Sequence, residues 1–423
     1  DREFHPAGYN IGINDGAAAG QTVQHLHIHL IPRYEGDRDD PRGGVRWVLP
    51  DKAAYWNQGL TVGEVRDSGI PPPYLPTRTS RPSPEDQVRF IANIERILSE
   101  GSFVATYKYA LLVALVELAI ERGDDSNREL VLSIRDIADK FAELYWRQAA
   151  PYEATGVSGP GFVLHQNTGS QAGAMTRLAR LRDELKGSRS TLAEARRTAD
   201  WKRLIGQMQT LVKTMPLWRL QRVGHEDNRF LYEPGPGASN ITLLPGVACH
   251  LRERAPLIRR LAETEWLRFV LSLEQNQPVL GRAVGLSEFL FGSGRAALSL
   301  KVSKPLRELQ DGECFYCQHK LPAEAAVDHF IPWSRYPRDL AHNLVLAHGT
   351  CNSRKSDLLG GEAYLERWVR FLADHDSDLQ QIGTEAGLLV DRATSVAVAE
   401  WSYGHAERVQ AQGSKGLKVH ARV

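Results

Sequence analysis

Cysteine and methionine are scarce in this chain of 423 residues, at four and three copies. So few cysteines make no disulfide framework, and three of them (Cys314, Cys317, Cys351) crowd into one short segment. That distribution points to metal binding in a reducing compartment, hence a cytoplasmic protein, with Cys249 left over as a buried apolar residue. A charge excess is missing too: 52 Lys+Arg stand against 51 Asp+Glu, so any surface for nucleic acid must be local. No apolar run reaches the ~20 residues a membrane helix needs. The best candidate, from Tyr109 to Ile120, carries Glu117 in its middle and reads as a buried helix. The first residue is Asp1, with neither methionine nor secretory signal before it, which reads as the start of a fragment or a processed product.

What is there divides along the chain. Residues 1–60 alternate apolar and polar positions between Gly and Asn punctuation, as in a small β-rich unit. Pro71, Pro72, Pro73, Pro76 and Pro82, with Pro84 just beyond, mark 61–82 as a linker. A mostly helical region spans 83–304. It opens on Ser83-Pro84-Glu85-Asp86, a cap, a first-turn proline and acids suited to a helix N-terminus. Further helices are expected over 103–122, 127–149, 170–186, 189–213 and 255–274, with an irregular Gly/Pro-rich stretch at 225–246. A motif-bearing module occupies 305–375, with a Trp-bearing helix at 361–373 behind it, and 376–423 form an extension.

The segment from Cys314 to Asp357 is the most informative. Zinc favours thiolate and imidazole ligands in a tetrahedron, and two short-spaced pairs let two loops supply two ligands each. Cys314 and Cys317 form one pair, and His348 with Cys351 the other. The alternatives are a chance Cys-x-x-Cys or His319 as the fourth ligand. A second set, Asp328, His329, Asn343 and Asn352, is interleaved with the first. Phosphodiester hydrolysis needs a base to activate water and a cation to absorb charge on the phosphate. Asp328 and Asn352 offer oxygens to a divalent ion such as Mg2+, His329 is the candidate base, and Asn343 a candidate holder of a backbone loop or of the His329 ring.

The segment resembles the HNH endonucleases, or ββα-metal nucleases. The resemblance rests on Asp328-His329-x-x-Pro332, on Asn343 to Ala347 (Asn-Leu-Val-Leu-Ala), and on Cys351-Asn352-x-x-Lys355. It implies His329 as general base, Asp328 and Asn352 as metal ligands, Asn343 as orienter and Lys355 near the phosphate. The sequence departs from the family in having Asn352 in place of the final histidine and His348 where cysteine is commoner.

Near the N-terminus, His25, His27 and His29 alternate with Leu26, Ile28 and Leu30. On a strand the three imidazoles share a face, where they could bind metal, attack a substrate or face solvent. Residues 10–34 resemble the histidine triad (HIT) superfamily of nucleotidyl hydrolases and transferases. The resemblance implies that His27 attacks an α-phosphorus while His25 and His29 orient it, without metal. Asn14, Gly20, Gln21 and Thr22 fall where the family places its phosphate-contacting loop. It also implies strands ahead of Asn10 that hold base and ribose, so residues 1–60 are expected to form the catalytic half of such a domain.

Between the two ends, residues 171–225 hold twelve Lys/Arg against four acids, a candidate phosphate-tracking surface or a solvated helical face. Trp201, Trp218 and Trp266 are expected in the core, and His165-Gln166-Asn167 is a polar run without an assigned mechanism. The fold expected is α+β and multidomain: a partial HIT-like antiparallel sheet, an α-helical middle and a C-terminal ββα-metal module. The expected function is DNA cleavage by the HNH module, with structural Zn2+ and catalytic Mg2+. The alternatives are a His27-based nucleotide hydrolase or transferase with a zinc-stabilised binding module, or a nucleic-acid binder with two degenerate sites. The expected partners are DNA, an adenine nucleotide at the triad and a second copy through the HIT-like part, with no membrane.

Overall fold

The computed structural model describes residues 7–12, 29–37, 82–152, 162–185, 191–224, 226–234, 239–280, 285–292 and 295–412. The chain forms two compact units, Asp1–Leu75 and Pro76–Val423. In the first, β1 (Gly8–Gly12) pairs antiparallel with β2 (His29–Arg33), Gly8 opposite Arg33 and Gly12 opposite His29. Arg33 ties the pair together, bonding the Asn10 carboxamide and forming a 2.6 Å ion pair with Asp37.

In the second unit, α1 (Pro84–Ser99) starts as its sequence dictates. Ser83 Oγ accepts from the Asp86 amide at 3.1 Å, and the Asp86 carboxylate accepts from the Ser83 amide at 3.2 Å. The apolar run becomes α2 (Tyr107–Arg122), buried without a break from Tyr107 to Ile120. A helix apolar all round must be enclosed. Among the helices that enclose α2 are α3 (Ile134–Trp146), then, beyond α4 (Gly173–Glu184) and α5 (Ala199–Thr214), α6 (Val247–Glu253) and α7 (Ala255–Ser272), and finally the C-terminal helix described below.

Two expectations are corrected in this region. The helix expected over 127–149 is preceded by a strand, β3 (Leu130–Ser133), because Leu-Val-Leu suits a strand and Ser133 then caps α3, its Oγ accepting from the Asp136 amide. The stretch expected to be irregular holds β4 (Tyr232–Pro234) and β5 (Asn240–Leu243), which join β3 in an antiparallel sheet ordered β3-β5-β4. In addition, the pattern read as one helix over 189–213 is broken at Thr198, which caps α5 by accepting from the Trp201 amide at 3.2 Å.

Toward the C-terminus follow α8 (Arg295–Leu309), the hairpin β6 (Ala326–His329) and β7 (Leu344–Ala347), α9 (Gly349–Lys355), α10 (Glu362–Asp374), α11 (Asp376–Ala386) and α12 (Arg392–Gln412). The boundary read at 304/305 falls inside α8, and α12 is the C-terminal helix that packs against α2. Helical middle and ββα module thus share one compact unit.

Individual side chains settle several open readings. Trp201 and Trp266 are core, but Trp218 is 46 % exposed, a correction that follows from its place on the outer side of a single helical turn. Gln166 is a structural linchpin, its Oε1 accepting from Thr106 Oγ1 at 2.9 Å and from Trp266 Nε1 at 3.1 Å. Some of the cations of 171–225 pair with acids: Arg180 with Glu184, Arg203 with Asp200, and Arg196 with Asp139 and Glu143. Cys249 is fully buried, as expected.

His250, on α6, stacks on Phe90 at 4.7 Å between ring centroids, and its buried Nδ1 has no hydrogen-bond partner among the described residues. Burial, aided by Arg254, lowers its pKa from 6.5 to about 4 against the pull of Asp86. A base with a depressed folded pKa is most stabilising above its unfolded value, and stability falls as pH drops from about 6.5 towards 4. Replacing His250 with Phe is expected to remove this component, on the order of 2 kcal/mol. Urea unfolding of the two proteins at pH 7 and pH 4.5 measures it; equal pH dependence in both would refute the assignment.

Candidate active site and metal centre

Antiparallel pairing of β6 and β7 puts Asp328 opposite Val345 and His329 opposite Leu344, and α9 packs against β6. This is a ββα unit, and it carries two separate groups of polar side chains.

The first is the thiolate–imidazole knot. One ligand atom from each of Cys314, Cys317, His348 and Cys351 lies within 4.8 Å of the others. His348 Nδ1 stands 3.3 Å from Cys317 Sγ and 3.9 Å from Cys351 Sγ. Its Nε2 lies 3.0 Å from the Lys320 carbonyl, an acceptor that fixes the proton on Nε2 and turns the Nδ1 lone pair inward. His319 is exposed and lies outside the group. Against burial, which raises it, backbone amides of Cys317, His348 and Tyr316 hold the Cys314 thiol down at about 7. Burial and the neighbouring Cys314 push Cys351 up to about 12. The three sulfurs, packed close together, and the inward-turned imidazole form a donor set that fits zinc.

The second group surrounds the Asp328–His329 step. Asp328 Oδ2 accepts from Tyr316 Oη at 2.6 Å and pairs with Lys355 Nζ at 3.0 Å. Burial and the Asp328 charge raise the Tyr316 pKa well above its usual value, so Tyr316 stays a donor. Lys355, expected beside a phosphate, is instead 1 % exposed, and its ammonium also bonds the His329 carbonyl at 2.8 Å. Asn352 lies one turn before Lys355 on α9, at the i,i+3 spacing that makes the two side chains neighbours on the helix surface. It is half-buried, and its carboxamide makes no hydrogen bond among the described residues.

Asn343 grips the turn after His329: its Oδ1 accepts from the Ile331 amide at 2.7 Å and its Nδ2 donates to the Ile331 carbonyl at 2.9 Å. His329 Nε2 is 2.9 Å from Asp339 Oδ1, and the Trp333 ring stands edge-on at 5.3 Å. The sequence reading missed Tyr316 and Asp339. Asp339 carried no signal, since it lies ten positions after His329 without a recognisable spacing. Asp339 and Trp333 line an open cleft of about 550 Å3 together with Arg147 and Arg182.

At the N-terminal end, His25, His27, Asn14, Gly20, Gln21 and Thr22 lie outside the described residues. His29 opens β2, with its backbone opposite Gly12.

Comparison with known families agrees with this division. Residues 314–358 match the HNH endonuclease model, residues 1–36 the HIT domain model, and residues 87–284 a domain of unknown function (DUF8808). Among curated proteins, the chain is 31 % identical over 107 residues to an asymmetrical bis(5'-nucleosyl)-tetraphosphatase of Schizosaccharomyces pombe, covering 25 % of this chain and 57 % of that protein. It is 67 % identical over 30 residues to an uncharacterized HIT-like protein of Methanocaldococcus jannaschii, 7 % of this chain and 23 % of the other. It is 40 % identical over 53 residues to a bis(5'-adenosyl)-triphosphatase of Saccharomyces cerevisiae, 12 % and 23 % of the two chains. The chain thus spans little more than half, or less, of the length of these relatives. No solved structure matches. The chain joins a nucleotide-hydrolase-like module to a nuclease-like one. More particularly, it carries a HIT domain segment at one end and an HNH endonuclease domain with a Cys3His cluster at the other.

The knot makes a direct prediction. Purified protein is expected to contain about one zinc per chain by elemental analysis, and Cys317→Ser to lose it together with several degrees of melting temperature, because a structural metal's binding energy is folding energy. Metal-free protein with an unchanged melting temperature would rule the knot out as a zinc site.

Proposed function

We propose that the C-terminal module is a metal-dependent endonuclease that hydrolyses DNA phosphodiester bonds in the cytoplasm. The observation that carries this is the Asp328–His329 step at the end of β6, with the imidazole held by Asp339 and the following turn clamped by Asn343. A carboxylate only accepts hydrogen bonds, so Asp339 places the imidazole proton on Nε2 and leaves Nδ1 as the base. His329 then takes a proton from water as the water oxygen bonds phosphorus, and the bond to the leaving sugar oxygen breaks. That oxygen receives its proton from solvent. Asp328 Oδ1 and the uncommitted Asn352 carboxamide are the oxygens suited to a divalent cation such as Mg2+, which when bound offsets charge on the phosphate. Asn343 acts by fixing the backbone that carries His329. Lys355 holds Asp328 and the His329 carbonyl, and so steadies the site from within.

His329→Ala is expected to reduce cleavage of plasmid DNA with Mg2+ by at least ~100-fold while DNA binding and zinc content stay as in the parent. Cleavage at the parental rate by His329→Ala would end this reading.

The kinship of the N-terminal segment to dinucleoside polyphosphate hydrolases favours a second activity. In it, His27 attacks an α-phosphorus, forming a phosphorus–nitrogen bond as the bond to the leaving nucleotide breaks, and water later hydrolyses the adduct. His25 and His29 orient His27, and Asn14, Gly20, Gln21 and Thr22 contact phosphate. Labelled bis(5'-adenosyl) tetraphosphate is expected to leave an acid-labile adduct on the protein that vanishes in His27→Ala. The absence of any adduct at saturating substrate argues for a segment without turnover.

A further inference from the structure

The loop between β6 and β7 carries Asp339, and its strongest ties run to the helical region, not to the ββα unit. Tyr336 Oη donates to Glu121 Oε1 at 2.5 Å, and Arg338 donates to Glu117 Oε2 at 2.7 Å and stands 3.5 Å from Glu143 Oε2. Glu117 and Glu121 lie on α2 and Glu143 on α3, and all three are deeply buried. Lys140 Nζ joins them, 2.7 Å from Glu121 and 3.1 Å from Glu143, while Arg259 of α7 donates to Glu117 at 2.5 Å. Behind the loop, the Leu389 amide donates to the Asp339 carbonyl at 3.3 Å.

A buried ion cluster loses much of its attraction to desolvation, and its best-attested use is to fix one arrangement against others. Here it fixes the stretch 330–340, which has no helix or strand of its own. An apolar contact would tolerate sliding, whereas paired ions with defined donors and acceptors do not. The distances make a continuous chain: Glu117 and Glu121 to Arg338 and Tyr336, then Asp339, then His329 Nε2.

We propose that Asp339 is a positioning residue for His329, and that the buried cluster on α2 and α3 sets its place through Tyr336 and Arg338. The helical region of unknown function is thereby a working part of the nuclease site. This inference rests on the nuclease reading for its kinetic arm only.

In the full chain, Asp339→Asn is expected to lower kcat for DNA cleavage roughly 10- to 100-fold with KM within about twofold, because it disturbs the base and not substrate binding. Tyr336→Phe removes one hydroxyl without leaving a charge unpaired, and is expected to lower kcat about fivefold. In the double variant Tyr336→Phe is expected to add nothing, since both act through one contact. Multiplying effects would overturn the proposal.

A second arm needs no activity. In protein labelled with 15N-histidine, His329 (assigned through His329→Gln) is expected to show a single Nε2–H tautomer, and a mixture in Tyr336→Phe and in Asp339→Asn. An unchanged ring in Tyr336→Phe would overturn the proposal even if the parent cuts DNA. A parent that does not cut, yet shows these ring changes, would remove the nuclease reading and leave the positioning intact.

Discussion

Glu117 is the charge on which the second unit is organised. It sits in the most apolar helix of the chain, and burial alone would favour its protonated form. Arg338, Arg259 and Lys140 together overcome that burial and hold its pKa below the usual carboxylate range. Neighbouring Glu143 is likewise held at about 2, against burial, by Lys140, Arg196 and Arg338. Each cation arrives from a different part of the chain: α3, α7 and the β6–β7 loop. One carboxylate thus makes three distant segments converge, and removing a single partner from such a cluster costs on the order of 3–5 kcal/mol.

The ββα module shows how one short segment serves two ends. Cys314 and Cys317, with His348 and Cys351, tie a loop to the start of α9, and that tie fixes where α9 lies against β6. One turn of helix then separates the knot from the chemistry: Cys351 faces the sulfurs, while Lys355, four residues on, reaches Asp328 and the His329 carbonyl. Loosening the knot would therefore disturb the Asp328–His329 step through α9. This is the physical sense in which a structural metal can matter to a site that it does not touch.

Local chemistry was readable where it acts over a few residues. Ser83 and Asp86 announced α1 because the cap and its partner are three residues apart. Asn343 could be read as a loop holder and Cys314, Cys317, His348 and Cys351 as one cluster, because their spacing carries the geometry. The misreadings were also local. The strand β3 was hidden by its four-residue length, and β4 and β5 were obscured by Gly and Pro between them. Lys355 was placed near a phosphate by the family resemblance, and a sequence does not show which lysine becomes walled in.

By itself the sequence determined the two interleaved sets at 314–357, the buried helix around Tyr109–Ile120 and the polar step at Asp328–His329, through short spacings and one apolar run. Only the tertiary structure decided what holds that step in place. Tyr336 and Arg338 find their carboxylates 215 and 221 residues away, and no local pattern records a contact that distant. Asp339 meets His329 because the loop is pinned at both of those side chains. Its partner is chosen by where a buried charge must be neutralised, which is a property of the packed interior and not of the chain's local order.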